Sequence, residues 1–317
     1  MQLINQTDNI LQVQNKKEGP KIIAIGGGKG GIGKTIISVN LGVTLVWQKK
    51  KVILVDADLG GANLHTCFGI ASNASTLSDY ISENISDIND TVINTEIPGL
   101  QLISGAHDAL SIANITNKQK LRFIAGLRSL DADYVILDLG AGTSYSVIDF
   151  FLAADNGVLV MLPEPTSVEN VYRFIKVAFY RKLRSLENSL KMEQLVSSVM
   201  RESGDDGIKT PLHLLDAVRK RNSERGNALC EEMMKFAPSV IVNMVRTNSD
   251  IEIGASVSFA CKKYFGIKVH YLGHIGYSNH IWQSIRNRRP VVIDFPNSTL
   301  VTNFSSILKQ LQRRENA

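Results

Sequence analysis

Cysteine is scarce in this chain. Cys67, Cys230 and Cys261 are spread over 317 positions without a C-x-x-C pair, so the sequence suggests neither a disulfide framework nor a thiolate set for zinc or an iron–sulfur cluster. The three read as buried apolar residues. Long hydrophobic runs are also missing: nothing approaches the roughly 18–20 apolar residues of a membrane span. The polar beginning MQLINQTDNILQVQNKKEG has no apolar segment of a signal peptide, and the expected location is cytoplasmic. No internal repeat or low-complexity tract is evident. Strong charge of one sign is absent as well; the formal net charge of +5 is mild and suits an anionic surface, a nucleic acid or solubility alone.

What is present is enough apolar sequence for a large core, 44% hydrophobic against 21% charged. The segments KIIAIG (21–26), KVILVD (51–56), LQLIS (100–104), YVILDL (134–139), GVLVML (157–162), SVIVNM (239–244) and KVHYLGHIG (268–276) read as strands. Several are apolar at successive positions, as strands covered on both faces must be, and the intervals are long enough for crossover helices. The expected fold is α/β, a doubly wound, mainly parallel sheet flanked by helices. Residues 1–19 read as a polar N-terminal arm. Residues 20–317 read as one domain with a helical insertion at about 186–237, where no strand is seen and apolar positions keep a helical period.

Between the first strand and an apolar helix lies GGGKGGIGKT. Gly28, Gly33, Lys34 and Thr35 satisfy G-x-x-x-x-G-K-T, a phosphate-binding loop in its required place. Backbone N–H groups from Gly30 to Thr35, through Gly31, Ile32 and Gly33, can converge on β- and γ-phosphates with the helix N-terminus behind them. Lys34 adds a point charge, and Thr35 offers its hydroxyl to Mg²⁺. ATP and Mg²⁺ are therefore the expected cofactors. Asp56 and Asp58, in VILVDADLGGANLH, sit at a strand end that converges on this loop. Asp138 closes a hydrophobic strand before Gly140-Ala141-Gly142, the arrangement of a carboxylate near Mg²⁺ beside glycines able to follow a phosphate.

Lys29 exceeds what the cradle needs, and here KGGIGKT resembles the deviant Walker A motif of the MinD/ParA ATPases. The resemblance covers about residues 20–180 and 238–315 and implies a nucleotide-sandwich homodimer in which Lys29 reaches the partner's phosphates. It implies that Asp56 binds metal-coordinated water, that Asp58 orients the attacking water with Asn63 nearby, and that Gly140 to Gly142 form the second switch. A solvated loop lysine remains the alternative for Lys29, and a loop-turn aspartate for Asp58. PEPTS (163–167) and NMVR (243–246) are closest to the FlhG/FleN branch, flagellar number regulators. By that likeness Asn243 reads adenine, with Gly276 and Tyr277 flanking the base and Ile36 beside the nucleotide. A buried Asn satisfying backbone groups is the other reading.

The implied function is an ATP-dependent dimerisation switch that hydrolyses ATP and positions or regulates a cellular structure. A ParA-type partition ATPase on nonspecific DNA and a non-hydrolysing nucleotide-binding scaffold stand as alternatives. The arm has no convincing version of the D-Q-A-x-x-L-R segment with which FlhG-type proteins stimulate a GTPase partner, a departure from the resemblance that places activation of such a partner in doubt. In STLVTNFSSILKQLQRRENA, Leu300, Val301, Phe304, Ile307, Leu308 and Leu311 form one apolar stripe, either core packing or a peripheral contact with the inner face of the cell membrane. RKLR (181–184), RKR (219–221) and RNRR (286–289) are candidate DNA contacts. An unidentified protein partner ranks ahead of DNA as the recruiting element.

Overall fold

The computed structural model describes residues 19–58, 61, 63–70, 75–105, 115–189, 192, 196, 198 and 210–315. The expected arm at 1–19 therefore lies outside the described residues except for Gly19, as does much of the expected insertion between 190 and 209.

Eight strands form one sheet: β1 (Lys21–Gly26), β2 (Val52–Ala57), β3 (Val92–Asn94), β4 (Leu100–Ile103), β5 (Tyr134–Leu139), β6 (Asn156–Met161), β7 (Ser239–Val245) and β8 (His270–Gly276). Their spatial order is β3-β4-β2-β5-β1-β6-β7-β8, and every pairing is parallel except the antiparallel edge pair β3·β4. The doubly wound α/β fold is the observed one. β3 is absent from the sequence reading. The strand ends also shift, β8 starting at His270 and β4 stopping at Ile103.

The continuous apolar strands behave as two-sided strands do. Ile22 and Ala24 of β1 enter one core layer, while Ile23 and Ile25 enter the other. Against the second layer lie α1 (Lys34–Trp47), and, after β8, α9 (Asn279–Asn287), α10 (Val291–Asp294) and α11 (Thr299–Glu315). The first layer is covered by α2 (Leu77–Ile81), α3 (Asn117–Ser129), α4 (Tyr145–Ala153), α5 (Pro165–Ser189), α6 (Pro211–Arg221), α7 (Ser223–Met234) and α8 (Asn248–Phe265). α5 runs through residue 186, the expected start of the insertion. α6 and α7 pack their apolar residues Leu214, Val218, Leu229 and Met233 into this layer.

On α4, Asp149 is buried and accepts hydrogen bonds from Lys120 Nζ at 2.7 Å and from Arg181 Nε and Nη2 at 2.7 and 3.0 Å. A carboxylate so placed requires such partners, because an unpaired buried charge is costly.

The stripe on α11 is spent on the sheet: Leu300, Phe304, Ile307, Leu308 and Leu311 are all buried in the layer that includes Leu272 and Ile275 of β8. This corrects the membrane-facing expectation for that stripe, since the same atoms cannot cover β8 and enter a lipid interface. The helix end is clasped as well. Glu315 accepts from Lys21 Nζ (2.7 Å), Tyr134 OH (3.1 Å) and Asn156 Nδ2 (3.0 Å), and Arg314 Nη1 donates to Ser239 Oγ (2.8 Å). Among the described residues, no helix is long and apolar enough to cross a membrane.

Candidate functional site

Parallel strands direct their C-terminal ends to one edge, and the crevice lies there, where the connections leaving the neighbouring strands β1 and β5 depart to opposite faces of the sheet, through α1 and α4. Ile25 pairs with Asp138 and Asp56 with Asp138 in the β1·β5 and β2·β5 registers, so the sheet itself sets the two carboxylates side by side. A cavity of about 350 Å³ opens above them. Gly30, Gly31, Gly33, Lys34, Thr35, Ile36, Asp56, Asp58, Asn63, Asp138 and Asn243 all line it.

The loop between β1 and α1 owes its shape to glycine. Gly31 (φ 76°) and Gly33 (φ 89°) occupy the left-handed region, and Gly33 caps α1 without any side-chain bond to the helix N-terminus. No acidic residue lies in the first turn, so the amide dipoles facing the cavity keep their affinity for an anion. Lys34 is buried at the head of this helix. Gly28 and Ile32 serve packing: a Cβ on Gly28 would stand 2.7 Å from Asn170 O, and Ile32 is buried in the core.

Thr35 Oγ1 donates to Asp138 Oδ2 at 2.6 Å, and Ser38 Oγ donates to Asp138 Oδ1 at 3.0 Å. Asp56 accepts from the N–H of Leu64 (2.9 Å) and that of Asp58 (3.2 Å). Burial pushes the Asp56 carboxyl up to about 7, with the Leu64 N–H opposing it. It pushes Asp138 up to about 6, against the Thr35 and Ser38 hydroxyls. Two carboxylates with raised pKa values beside a hydroxyl form a hard-oxygen set short of positive charge, which suits a divalent cation such as Mg²⁺. Asp58 stands against the second glycine loop, its Oδ1 3.1 Å from where a Cβ on Gly140 would be. That loop is tied to the first, Gly142 N–H donating to Gly27 O at 3.1 Å.

Of the remaining expected site residues, Lys29, Gly276 and Tyr277 fall outside the cavity lining, and Asn243 falls within it. Lys29 is exposed and does not line the cavity. Gly276 donates its N–H to Asn303 Oδ1 at 3.2 Å. Tyr277 is exposed, with the Arg246 guanidinium 4.2 Å from its ring centroid, but neither lines the cavity. Asn243 lines it, yet both ends of its amide engage backbone: Nδ2 donates to Ile32 O (2.8 Å), and Oδ1 accepts from Met244 N (2.9 Å). Sequence reasoning missed Ser38, although it lies one helical turn after Lys34, and Met244, Ile281 and Ile285, which line the cavity without any polar signature.

A family model described as an AAA domain matches residues 20–192. The chain belongs to that family. Its relatives and fold place it among the MinD/ParA-type P-loop ATPases. It is 32% identical over 190 residues to the flagellum site-determining protein YlxH of Helicobacter pylori, covering 55% of this chain and 60% of that protein. To the antiactivator FleN of Pseudomonas aeruginosa it is 34% identical over 159 residues, 50% of this chain and 56% of that one. The matches thus span less than two thirds of either relative. The septum site-determining protein MinD from Pyrococcus horikoshii, solved with Mg-ADP, shares the fold at a TM-score of 0.62 and 21% identity, covering 93% of this chain and 97% of that one.

Proposed function

We propose that this chain is an ATP-dependent dimerisation switch of the MinD type, hydrolysing ATP to ADP and phosphate to position or regulate a cellular structure. The observation that carries the reading is the convergence of Lys34, Thr35, Asp56, Asp58 and Asp138 on one cavity at the C-terminal ends of β1, β2 and β5. The α1 N-terminus and Lys34 hold the β- and γ-phosphates. Thr35, Asp56 and Asp138 would hold Mg²⁺, which when bound offsets charge on the phosphate oxygens. Asp58 orients the water whose oxygen bonds to the γ-phosphorus as the bond to the β,γ-bridging oxygen breaks. Gly140 to Gly142 follow the γ-phosphate, and their bond to Gly27 carries its presence back to the first loop.

Lys29, exposed and outside its own cavity, acts on the phosphates of a second copy, where an added cation offsets transition-state charge. The Mg-ADP bound to the Pyrococcus protein supports the choice of nucleotide and metal. A flagellum site-determining protein and an antiactivator among the relatives support a regulatory role; a cytoplasmic setting and an unidentified protein as the recruiting partner belong to the same proposal.

Lys34→Ala tests the assignment. Losing a charge-assisted contact to phosphate is expected to lower ATP affinity by about 100-fold in calorimetry and to abolish turnover. Near-normal hydrolysis by that variant would overturn the site.

A further inference from the structure

We infer that Ser38 is a positioning residue for the divalent cation: it fixes the plane of the Asp138 carboxylate, so that its loss weakens metal-dependent nucleotide binding and spares metal-free binding. The inference rests on the nucleotide reading proposed for this cavity and adds a residue that serves its metal. Asp138 ends β5 between Ile25 of β1 and Asp56 of β2 and faces the head of α1. Thr35 and Ser38, three positions apart, lie on one side of that helix and donate to different oxygens of the carboxylate, Thr35 to Oδ2 at 2.6 Å and Ser38 to Oδ1 at 3.0 Å.

The torsion that turns a carboxylate about its Cβ–Cγ bond is broad, without a sharp rotamer. One donor therefore leaves the plane free to swing, and two donors on different oxygens fix it. Asp56 is fixed in the same way by backbone, Oδ1 accepting from Asp58 N and Oδ2 from Leu64 N. Each oxygen keeps a second lone pair for the metal or its water. Mg²⁺ demands near-octahedral geometry, which makes the orientation of both carboxylates matter.

Packing alone does not ask for a serine at this place. Ser38 is fully buried, where alanine would favour the helix more and bury no hydroxyl. Its Oγ also lies 3.1 Å from the Lys34 carbonyl one turn back, but the hydroxyl has a single proton, and an ionised acceptor makes the stronger bond. Ser38 stands behind the cavity lining rather than in it, so it acts on the site through Asp138.

The test is calorimetric titration of the full chain and of Ser38→Ala with ADP, once in Mg²⁺ and once in EDTA. The ratio of ADP affinity in Mg²⁺ to that in EDTA is expected to fall by about tenfold in the variant, the usual scale for losing an outer partner of a metal ligand. Affinity in EDTA is expected to stay within about twofold of the unmodified chain. An unchanged or raised ratio would overturn the inference, because a merely structural serine weakens both conditions alike.

Should Ser38→Ala fail to fold, Ser38→Cys decides, since it fills the space and replaces the hydroxyl by a weak thiol donor. The same fall in the ratio is expected, and a ratio equal to that of the unmodified chain would overturn the role. An unmodified chain that binds no ADP removes the nucleotide reading, and one that binds ADP equally in both conditions removes the metal from it; the inference falls with either.

Discussion

At the scale of single residues, burial decides which groups carry unusual charge. Asp56 and Asp138 are held protonated to higher pH than ordinary carboxylates because the sheet removes them from water. His270, half-buried at the start of β8, is shifted the other way. Burial, with Arg314 and Lys268 nearby, pushes its pKa from 6.5 down to about 4. In the unfolded chain this imidazole takes up its proton near pH 6.5, and in the folded chain it resists until about 4. Its stabilising contribution is therefore complete above 6.5 and is lost as pH falls through that window. His270→Asn is expected to lose less stability than the unmodified protein between about pH 7 and about pH 4, measured as urea midpoints across pH. The buried carboxylates pull in the opposite direction but are common to both proteins and cancel in the comparison. Parallel acid profiles would contradict the assignment.

At the scale of elements, α11 separates two uses of one apolar stripe. Phe304 is fully buried against the sheet, so Phe304→Glu places a carboxylate in the core and is expected to destabilise by more than about 3 kcal/mol, read from chemical denaturation. An unchanged unfolding midpoint would mean that the helix leaves the sheet readily. The stripe is visible in sequence, but its partner is not, because amphipathic periodicity reports that one face is covered and not by what. The central strands are legible for the opposite reason: apolar residues at successive positions admit only a two-sided location. β3 escapes notice because Val92–Asn94 is three residues long, partly exposed and paired only at the sheet edge. Motif spacing points to the phosphate loop and both carboxylate strands, since those residues are close in sequence or sit at strand ends. The Asn243–Ile32 bond joins residues too distant for spacing to reveal.

At the scale of the whole molecule, the cavity mouth is what the proposed switch must act through. α9 borders it with Ile281 and Ile285, while Trp282 is exposed on the same helix beneath the Arg286 guanidinium, 4.8 Å from its ring. Large apolar side chains rimming a site are unusual on a monomer's surface and suit a face that a second copy covers. Arg286, Arg288 and Arg289 are exposed beyond them and remain the basic group on which a DNA-binding alternative would depend. In the proposed cycle, ATP joins two chains across their cavity mouths, and Asp58 ends that state by orienting water.

The most direct measurement is the molar mass of Asp58→Ala in solution, by light scattering, with Mg-ATP and with Mg-ADP. The variant keeps Lys29, Lys34 and the whole cradle, so a dimerisation switch predicts twice the chain mass with ATP and the single-chain mass with ADP. A single-chain mass with saturating ATP, under conditions where calorimetry shows the nucleotide bound, would contradict the switch.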